Sequence, residues 1–129
     1  MKPEDLTIFI VDDDESVLRS VKRLMRSAGY RNVETFVSAE DFLIDADLKE
    51  PGLMILDLLL PGINGIDLYH RLRNEGRAIQ TVFVSALDKE LDRARTECSQ
   101  ALAFIQKPFE RGDLIAAVRS ASGRTVPGA

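Results

Sequence analysis

Four consecutive acidic side chains follow a short apolar run near the start of the chain, in the segment IVDDDES at positions 10–16. Two carboxylates about 4 Å apart repel each other by roughly 4 kcal/mol at an effective dielectric near 20. Such a cluster must therefore be solvated, protonated or neutralised by a cation. One member, Asp13 or Asp14, could simply cap a following helix, but capping needs a single side chain.

Other reactive side chains also stand at the ends of apolar runs: Asp57 in MILDLLLPGING, Ser85 in VFVSAL and Lys107 in FIQKPF. If the fold brings them together, Asp12, Asp13 and Asp57 form an oxygen-rich site for a hard divalent cation. Magnesium, which shares its shell with phosphate oxygens, fits that inventory. Asp57 follows the apolar residues of a strand that we expect to be buried, and it is the candidate nucleophile for a phosphoryl group. Lys107 and Ser85 would face the bound anion.

The elements that must position these residues follow from the hydrophobic pattern. Runs rich in β-branched or aromatic residues predict strands at 8–11, 33–36, 53–58, 81–85 and 102–105. Helical spacing between the runs predicts five helices. The first ends at Gly29, the second begins after Ser38, and the others cover 64–74 before Gly76, 89–100, and about 110 onward. The fourth helix has a thin apolar stripe, so we expect it to be the least firmly docked.

Strict alternation of strand and helix predicts a doubly wound α/β fold with a five-stranded parallel sheet. The order 2-1-3-4-5, that of a flavodoxin-like (βα)₅ three-layer sandwich, makes strands one and three central neighbours. Ligands bind outside the carboxyl ends of such strands, near the point where strand order reverses. In this order the acids of strands one and three share one pocket, which is where the phosphate-binding cation is expected.

Composition limits the other possibilities. The chain has 129 residues, which predicts one domain over 1–122 and a flexible tail or linker at 123–129. Its 17 basic and 21 acidic side chains give a net charge of −4, so we expect no direct contact with nucleic acid. A single cysteine, Cys98, and a single histidine, His70, leave little for cysteine-based zinc sites or histidine-based catalysis. No run is long enough to cross a membrane, and we expect a cytoplasmic protein without a membrane partner.

Taken in order on these elements, the motifs resemble the receiver domain of bacterial two-component response regulators, the CheY-like family. The resemblance covers about residues 5–122 and depends on VDDD at 11–14, LDLLLPGINGID at 56–67, VSA at 84–86 and FIQKPF at 104–109. It implies that Asp13 and Asp57 bind Mg²⁺ directly, that Asp12 assists through water, and that the backbone carbonyl of Leu59 is a further ligand.

The same resemblance implies how the switch works. A sensor histidine kinase or phosphotransfer protein would phosphorylate Asp57, Lys107 would pair with the phosphoryl group, and Ser85 would donate a hydrogen bond to it. Phe104 would change rotamer with Ser85, and the face of helix four and strand five would then bind an output domain, an effector or a second copy of the chain. The chain would be no turnover enzyme but a phosphoacceptor that assists its own Mg²⁺-dependent phosphotransfer and dephosphorylation. The resemblance also makes the bond before Pro108 a candidate for a cis peptide.

Two departures from the family pattern stand out. The residues SQA at 99–101 replace a glycine usually found before the switch aromatic, and the positions two after Asp57 and Ser85 are the apolar Leu59 and Leu87. We expect these leucines to hinder water and to slow loss of the phosphoryl group. Pro61, Gly62 and Gly65 are interpreted as turn residues after strand three.

Other folds and functions fit less well. A flavin mononucleotide binder needs a phosphate loop after strand one, where this chain is acidic. An aspartate-nucleophile phosphatase usually places two aspartates at one strand end, and a calcium loop needs glycine where Val17 stands. One alternative stays open: a receiver-fold interaction module that works without phosphorylation. No basic recognition helix follows residue 122, so we expect a stand-alone receiver or one separated from a longer regulator.

Overall fold

The computed structural model describes residues 3–48, 52–77 and 79–122. Five parallel strands form one sheet in the order β2-β1-β3-β4-β5, as the sequence predicted. The strands are β1 Thr7–Val11, β2 Asn32–Phe36, β3 Gly52–Asp57, β4 Gln80–Ser85 and β5 Ala103–Gln106. The helices are α1 Glu15–Ser27, α2 Ala39–Asp45, α3 Gly65–Asn74, α4 Asp88–Glu97 and α5 Arg111–Ser122, and a 3₁₀ turn at Pro3–Asp5 precedes β1. The predicted tail at 123–129 lies outside the described residues.

The sheet has an apolar core on each face, because successive side chains of a strand point to opposite sides. In β1, Phe9 and Val11 pack into the core beneath α2, α3 and α4. Ile8 and Ile10 pack into the core beneath α1 and α5. Every residue of β1 is buried, as expected for a strand covered by helices on both sides.

Helix caps at the predicted positions fix where the chain enters each helix. Asp14 accepts a hydrogen bond from the Ser16 N–H and caps α1, while Ser38 and Asn64 cap α2 and α3 in the same way. Gly29 and Gly76 follow α1 and α3 with φ of 102° and 70°. Both values lie in the left-handed region that glycine adopts most readily, so these two helices end where the sequence predicted.

Some predicted boundaries were wrong by a few residues. Strand β3 ends at Asp57 because the Leu58 carbonyl accepts from the Gly65 N–H, which turns the chain toward α3. Helix α4 ends at Glu97, and the Ala101 N–H then donates to the Cys98 carbonyl in a turn. Strand β5 is displaced by one residue from the prediction and covers Ala103–Gln106.

Strand β5 and helix α4 form the less covered side of the molecule. Three of the four β5 residues are only partly buried and the fourth is exposed. Within α4, only Leu91 and Ala94 are buried, in agreement with its thin apolar stripe. Among residues 3–48, 52–77 and 79–122, no helix is both long and apolar enough to cross a lipid bilayer.

Candidate functional site

The strand register brings the acids together at the carboxyl edge of the sheet. Val11 is paired with Leu56, so Asp12 and Asp57, the next residue of each segment, lie side by side. Asp12 is 2% exposed and Asp57 6% exposed, whereas Asp13 is open to solvent. One carboxylate oxygen from each of these three residues lies within 4.8 Å of the other two. The predicted cluster is therefore present in the fold.

Backbone hydrogen bonds hold the two buried carboxylates in place. The Asp14 N–H donates to Asp12 Oδ1 at 2.9 Å, and the Leu59 N–H donates to Asp57 Oδ1 at 3.0 Å. In both cases the donor lies two residues beyond the acid, the geometry of an Asx turn. One oxygen of each carboxylate is thus held by its own loop, and Oδ2 of each is directed to a shared partner.

That partner is Lys107, which follows β5. Its ammonium donates to Asp12 Oδ2 at 2.6 Å and to Asp57 Oδ2 at 3.2 Å. The Lys107 N–H also donates to the Ser85 carbonyl at 2.8 Å, which extends the β4–β5 ladder and fixes the lysine backbone. The prediction placed Lys107 opposite the acids and facing an anion. In the structure it bridges the two acids directly and supplies part of their neutralisation.

Burial and charge act against each other in this cluster. Burial is the largest cause of the raised pKa of Asp57, and repulsion from Asp12 adds to it. The Leu59 N–H and Lys107 oppose that shift without cancelling it. For Lys107 burial is the largest single influence and lowers the pKa, but the bonds and charges of Asp12 and Asp57 together raise it above its usual value. The single lysine therefore does not fully neutralise the acids of this site.

The residues fit a hard divalent cation by the chemistry of their donors. Three carboxylates from two neighbouring segments offer oxygen ligands, two of them buried, and Mg²⁺ prefers such ligands. Asp12, Asp13 and Asp57 would hold the ion. The backbone carbonyl of Leu59 stays a predicted ligand, supported by the position of Leu59 in the loop directly after Asp57.

The four consecutive acids at positions 12–15 have different roles. Asp12 and Asp13 belong to the oxygen cluster, and Asp14 caps α1. Its bonds to Ser16 lower the pKa of Asp14. Glu15 is in the first turn of α1, where a negative charge favours the helix dipole. Both the cation interpretation and the capping interpretation of this run therefore apply, to different residues.

Ser85 and Phe104 lie on β4 and β5, the two strands that follow β3 in the sheet. Ser85 is fully buried at the end of β4, and its Oγ accepts from the Leu87 N–H at 3.2 Å. A hydroxyl that accepts a hydrogen bond still has its own proton to donate. Phe104 on β5 is paired with Phe83 on β4, and the two rings stack with centroids 5.9 Å apart.

Two residues near Phe104 and Asp57 were missed as functional candidates. The Arg95 guanidinium lies 5.6 Å from the centre of the Phe104 ring and covers it from α4. Gly65 has no positive φ, so turn geometry does not explain it. A Cβ at Gly65 would lie 2.6 Å from the Asp57 carbonyl oxygen and 3.0 Å from the Leu58 Cα. The glycine allows α3 to begin against the backbone of the acceptor strand.

The structure confirms the cis peptide between Lys107 and Pro108. A groove of about 780 Å³ runs beside these residues, between α1 and the segment from β5 to α5. Val17, Val21 and Phe109 are among its apolar lining residues. Arg23 and Arg111 also line it and add positive charge. The groove reaches Lys107 and so adjoins the acidic cluster.

Comparisons with known proteins agree with this geometry. Residues 8–119 match the family model described as the response regulator receiver domain. The chain is 36% identical over 121 residues to response regulator protein TmoT of Ectopseudomonas mendocina, a match that covers 94% of this chain and 54% of TmoT. It is 36% identical over 116 residues to transcriptional regulatory protein TdiR of Thauera aromatica, covering 89% of this chain and 50% of TdiR. The chain thus spans about half the length of these relatives.

Solved structures show the same fold. The structure of FixJ-N superimposes with a TM-score of 0.83 at 31% identity and covers 95% of this chain and 97% of FixJ-N. Response regulator StyR superimposes with a TM-score of 0.82 at 36% identity, over 91% of this chain and 59% of StyR. The domain described here therefore matches the whole of one solved domain and part of a longer protein.

Proposed function

We propose that this chain, which belongs to the family of response regulator receiver domains of two-component systems, is a phosphorylation switch whose acceptor is Asp57. The observation that carries the proposal is the buried Asp57 carboxylate, held between the Leu59 N–H and the Lys107 ammonium beside two further acids. Membership of this family implies in general that a histidine kinase and an output partner exist. The particular residues and their roles are our assignment.

In the proposed reaction, an ionised oxygen of Asp57 attacks the phosphorus of a phosphohistidine. A P–O bond forms while the P–N bond breaks, and the electron pair leaves with the imidazole nitrogen of the donor. Asp57 needs no general base, because its carboxylate attacks in the ionised form. The product is an acyl phosphate on Asp57, and its hydrolysis returns the free carboxylate and inorganic phosphate.

The side chains around Asp57 prepare the site for the added charge. Bound at Asp12, Asp13 and Asp57, Mg²⁺ would offset the charge of the acids and of the transferring phosphoryl oxygens. Lys107 already donates to Asp57 Oδ2 and can redirect one of its three N–H donors to a phosphoryl oxygen. Ser85 can donate its hydroxyl proton to the same group. The chain thus assists its own modification and does not turn over a substrate.

The output side of the proposal depends on Phe104. This ring is partly buried between Phe83 and the Arg95 guanidinium, at the less covered side formed by α4 and β5. If Ser85 moves toward the phosphoryl group, Phe104 can turn into the space it leaves. A change at the α4/β5 side would then alter binding of an output domain, an effector or a second copy of the chain.

The phosphoryl donor must reach a carboxylate that is only 6% exposed, so it has to be seated next to the cluster. The groove beside Lys107 offers apolar walls with Arg23 and Arg111 at its edges. These features suit a helix of the kinase that carries an apolar stripe flanked by acids. We expect Ser20→Glu, which puts a negative charge into the groove lining, to slow transfer from the kinase by repelling those acids while leaving labelling by acetyl phosphate unchanged. Equal slowing with both donors would contradict this docking position.

The proposed function is tested by intact mass after incubation with Mg²⁺ and acetyl phosphate. Wild type should gain the mass of one phosphoryl group, and Asp57→Asn should gain none. Asp45→Asn, which makes the same chemical change at an exposed position of α2, should label like wild type. Absence of labelling in wild type with both acetyl phosphate and phosphorylated kinase would instead favour an interaction module that works without phosphorylation.

A further inference from the structure

The side chain of Glu40 connects helix α2 to the loop that follows the acceptor strand. Glu40 lies in the first turn of α2, and its Oε2 accepts a hydrogen bond from the Ile63 N–H at 3.3 Å. The two residues are 23 positions apart in the chain. This contact joins segments that the sheet alone does not hold together.

The other oxygen of the same carboxylate is buried at a cost. Within the part of the chain that the structure describes, Glu40 Oε1 is covered and accepts no hydrogen bond. A covered carboxylate oxygen without a donor loses hydration and receives nothing in return. Because a solvent-directed rotamer would avoid that cost, the inward position of Glu40 indicates a constraint from the loop.

The loop is shaped to admit this carboxylate. Gly62 has φ of 75°, and a Cβ built there would collide with Glu40 Oε2. Glycine at this position therefore serves both the turn and the approach of Glu40. The side chain of Ile63, next in the chain, packs against the core on the α2 and α3 side.

Hydrogen bonds from backbone N–H groups hold the two ends of this loop. At the start, the Leu58 N–H donates to the Val84 carbonyl and the Leu59 N–H donates to Asp57 Oδ1. At the end, the Gly65 N–H donates to the Leu58 carbonyl. Ile63 lies between these anchors, and its N–H is bound by Glu40. The position of the loop beside Asp57 thus depends on a side chain from another helix.

We propose that Glu40 is a positioning residue that holds the β3–α3 loop in the conformation the acidic cluster needs. It acts through the Ile63 N–H and is not one of the three clustered carboxylates. The inference rests on the proposed function for the purpose of that loop. Its test, however, is made on the metal-binding step without any phosphoryl donor.

Two substitutions separate reach from charge. Glu40→Gln keeps an acceptor oxygen at the same distance but removes the charge. Glu40→Asp keeps the charge but is one methylene shorter and cannot reach the Ile63 N–H. If Glu40 acts by holding the loop, the Asp variant is impaired and the Gln variant resembles wild type. If its charge acted on the cluster at a distance, the order would be reversed.

The measurement is a Mg²⁺ titration followed by backbone amide NMR, combined with hydrogen exchange of the Ile63 N–H. We expect Glu40→Asp to bind Mg²⁺ about 10-fold more weakly, the low end for residues that support metal ligands, and to exchange the Ile63 proton faster. Glu40→Gln keeps the acceptor oxygen for the Ile63 N–H and should bind Mg²⁺ with nearly wild-type affinity. Asp45→Ala, which removes an exposed acid from the same helix, is the control and should match wild type.

Other outcomes overturn the inference. Equal Mg²⁺ affinity in all variants, with only a lower melting temperature for Glu40→Asp, would make Glu40 a purely structural residue. Weaker binding in Glu40→Gln than in Glu40→Asp would assign the effect to charge. Failure of the proposed function is recognised separately, since it appears as absent labelling of wild-type Asp57 whatever the Glu40 variants do.

Discussion

Asp57→Asn should stabilise the protein when no divalent cation is present, although it removes the proposed acceptor. Asp57 Oδ2 lies 3.2 Å from the Lys107 ammonium, which at an effective dielectric of 20 corresponds to an attraction of about 5 kcal/mol. A carboxylate oxygen of Asp12 lies within 4.8 Å of a carboxylate oxygen of Asp57. At the same dielectric this corresponds to a repulsion of at least about 3.5 kcal/mol. Asp13 adds a smaller repulsion, because it is exposed and screened by solvent.

These charge terms nearly cancel. The cost of burying an ionised carboxylate therefore decides whether Asp57→Asn raises or lowers the free energy of unfolding. Burial is also the largest cause of the raised pKa of Asp57. An asparagine removes that cost and can still accept from the Leu59 N–H. We expect the free energy of unfolding at pH 7 without Mg²⁺ to rise by about 1–2 kcal/mol, as when buried charges are neutralised in other proteins.

The raised pKa of Asp57 also predicts how the difference in stability between the two proteins depends on pH. The pKa of Asp57 in the folded state lies above the unfolded value of 3.8, so the folded wild type keeps its proton to higher pH than the unfolded chain. Wild type therefore loses stability as pH rises from 3.8 through the folded pKa. Asp57→Asn lacks this loss, and its advantage should develop across that window and stay constant above it.

Urea unfolding with and without Mg²⁺ provides the assay. Mg²⁺ should stabilise wild type with a logarithmic dependence on its concentration, and Asp57→Asn should respond much less. Asp45→Asn, at an exposed position, should change neither the stability by more than about 0.5 kcal/mol nor the Mg²⁺ response. Two results would refute the view that the acids form one cation-binding site. One is an Asp57→Asn protein that is less stable than wild type without Mg²⁺, and the other is an unchanged Mg²⁺ response.

Three further predictions concern other residues. Gly65→Ala should cost about 1–3 kcal/mol in urea unfolding because its Cβ would meet backbone atoms, whereas Gly112→Ala, with open space around it, should be neutral or slightly stabilising. Cys98 is buried, burial raises the pKa of its thiol to about 11, and a thiol reagent at pH 8 should react roughly 100-fold more slowly than with an ordinary cysteine until urea is added. Fast reaction in the native protein would contradict that environment. Leu87 is 50% exposed beside Ser85, and Leu87→Gln should speed decay of the acyl phosphate severalfold by admitting water. Ile44→Gln, at a 78% exposed site on α2, should leave the decay rate unchanged.

Much of the fold could be predicted because the strongest signals are local. The β-branched runs, the caps at Ser38 and Asn64 and the glycines after α1 and α3 each depend on a few adjacent residues. The strand order then placed Asp12 beside Asp57. Boundaries failed where a distant backbone group decides them, as at Leu58, whose carbonyl is taken by Gly65.

The details of the site could be predicted less well from the sequence, for a related reason. Asp57 and Lys107 are 50 positions apart, and whether the lysine faces an anion or bridges the acids depends on distances across two strands. Glu40 reads as one more exposed acid of an amphipathic helix, since nothing near it in sequence indicates Ile63. Gly65 has the same appearance whether it serves a turn or a close approach. Only the packed coordinates separate these cases.

The backbone ladder continues for one residue past several strand ends, with the Asp12, Leu58 and Lys107 N–H groups each bonded to a neighbouring segment. Under the proposed function, the reacting side chains therefore lie on backbone that is bonded to the sheet, while the adjoining helices and loops would offer the surfaces that partners bind. Exposed residues of those surfaces that make no contact with the site can then change in sequence while the backbone bonds at Asp12, Leu58 and Lys107 stay the same.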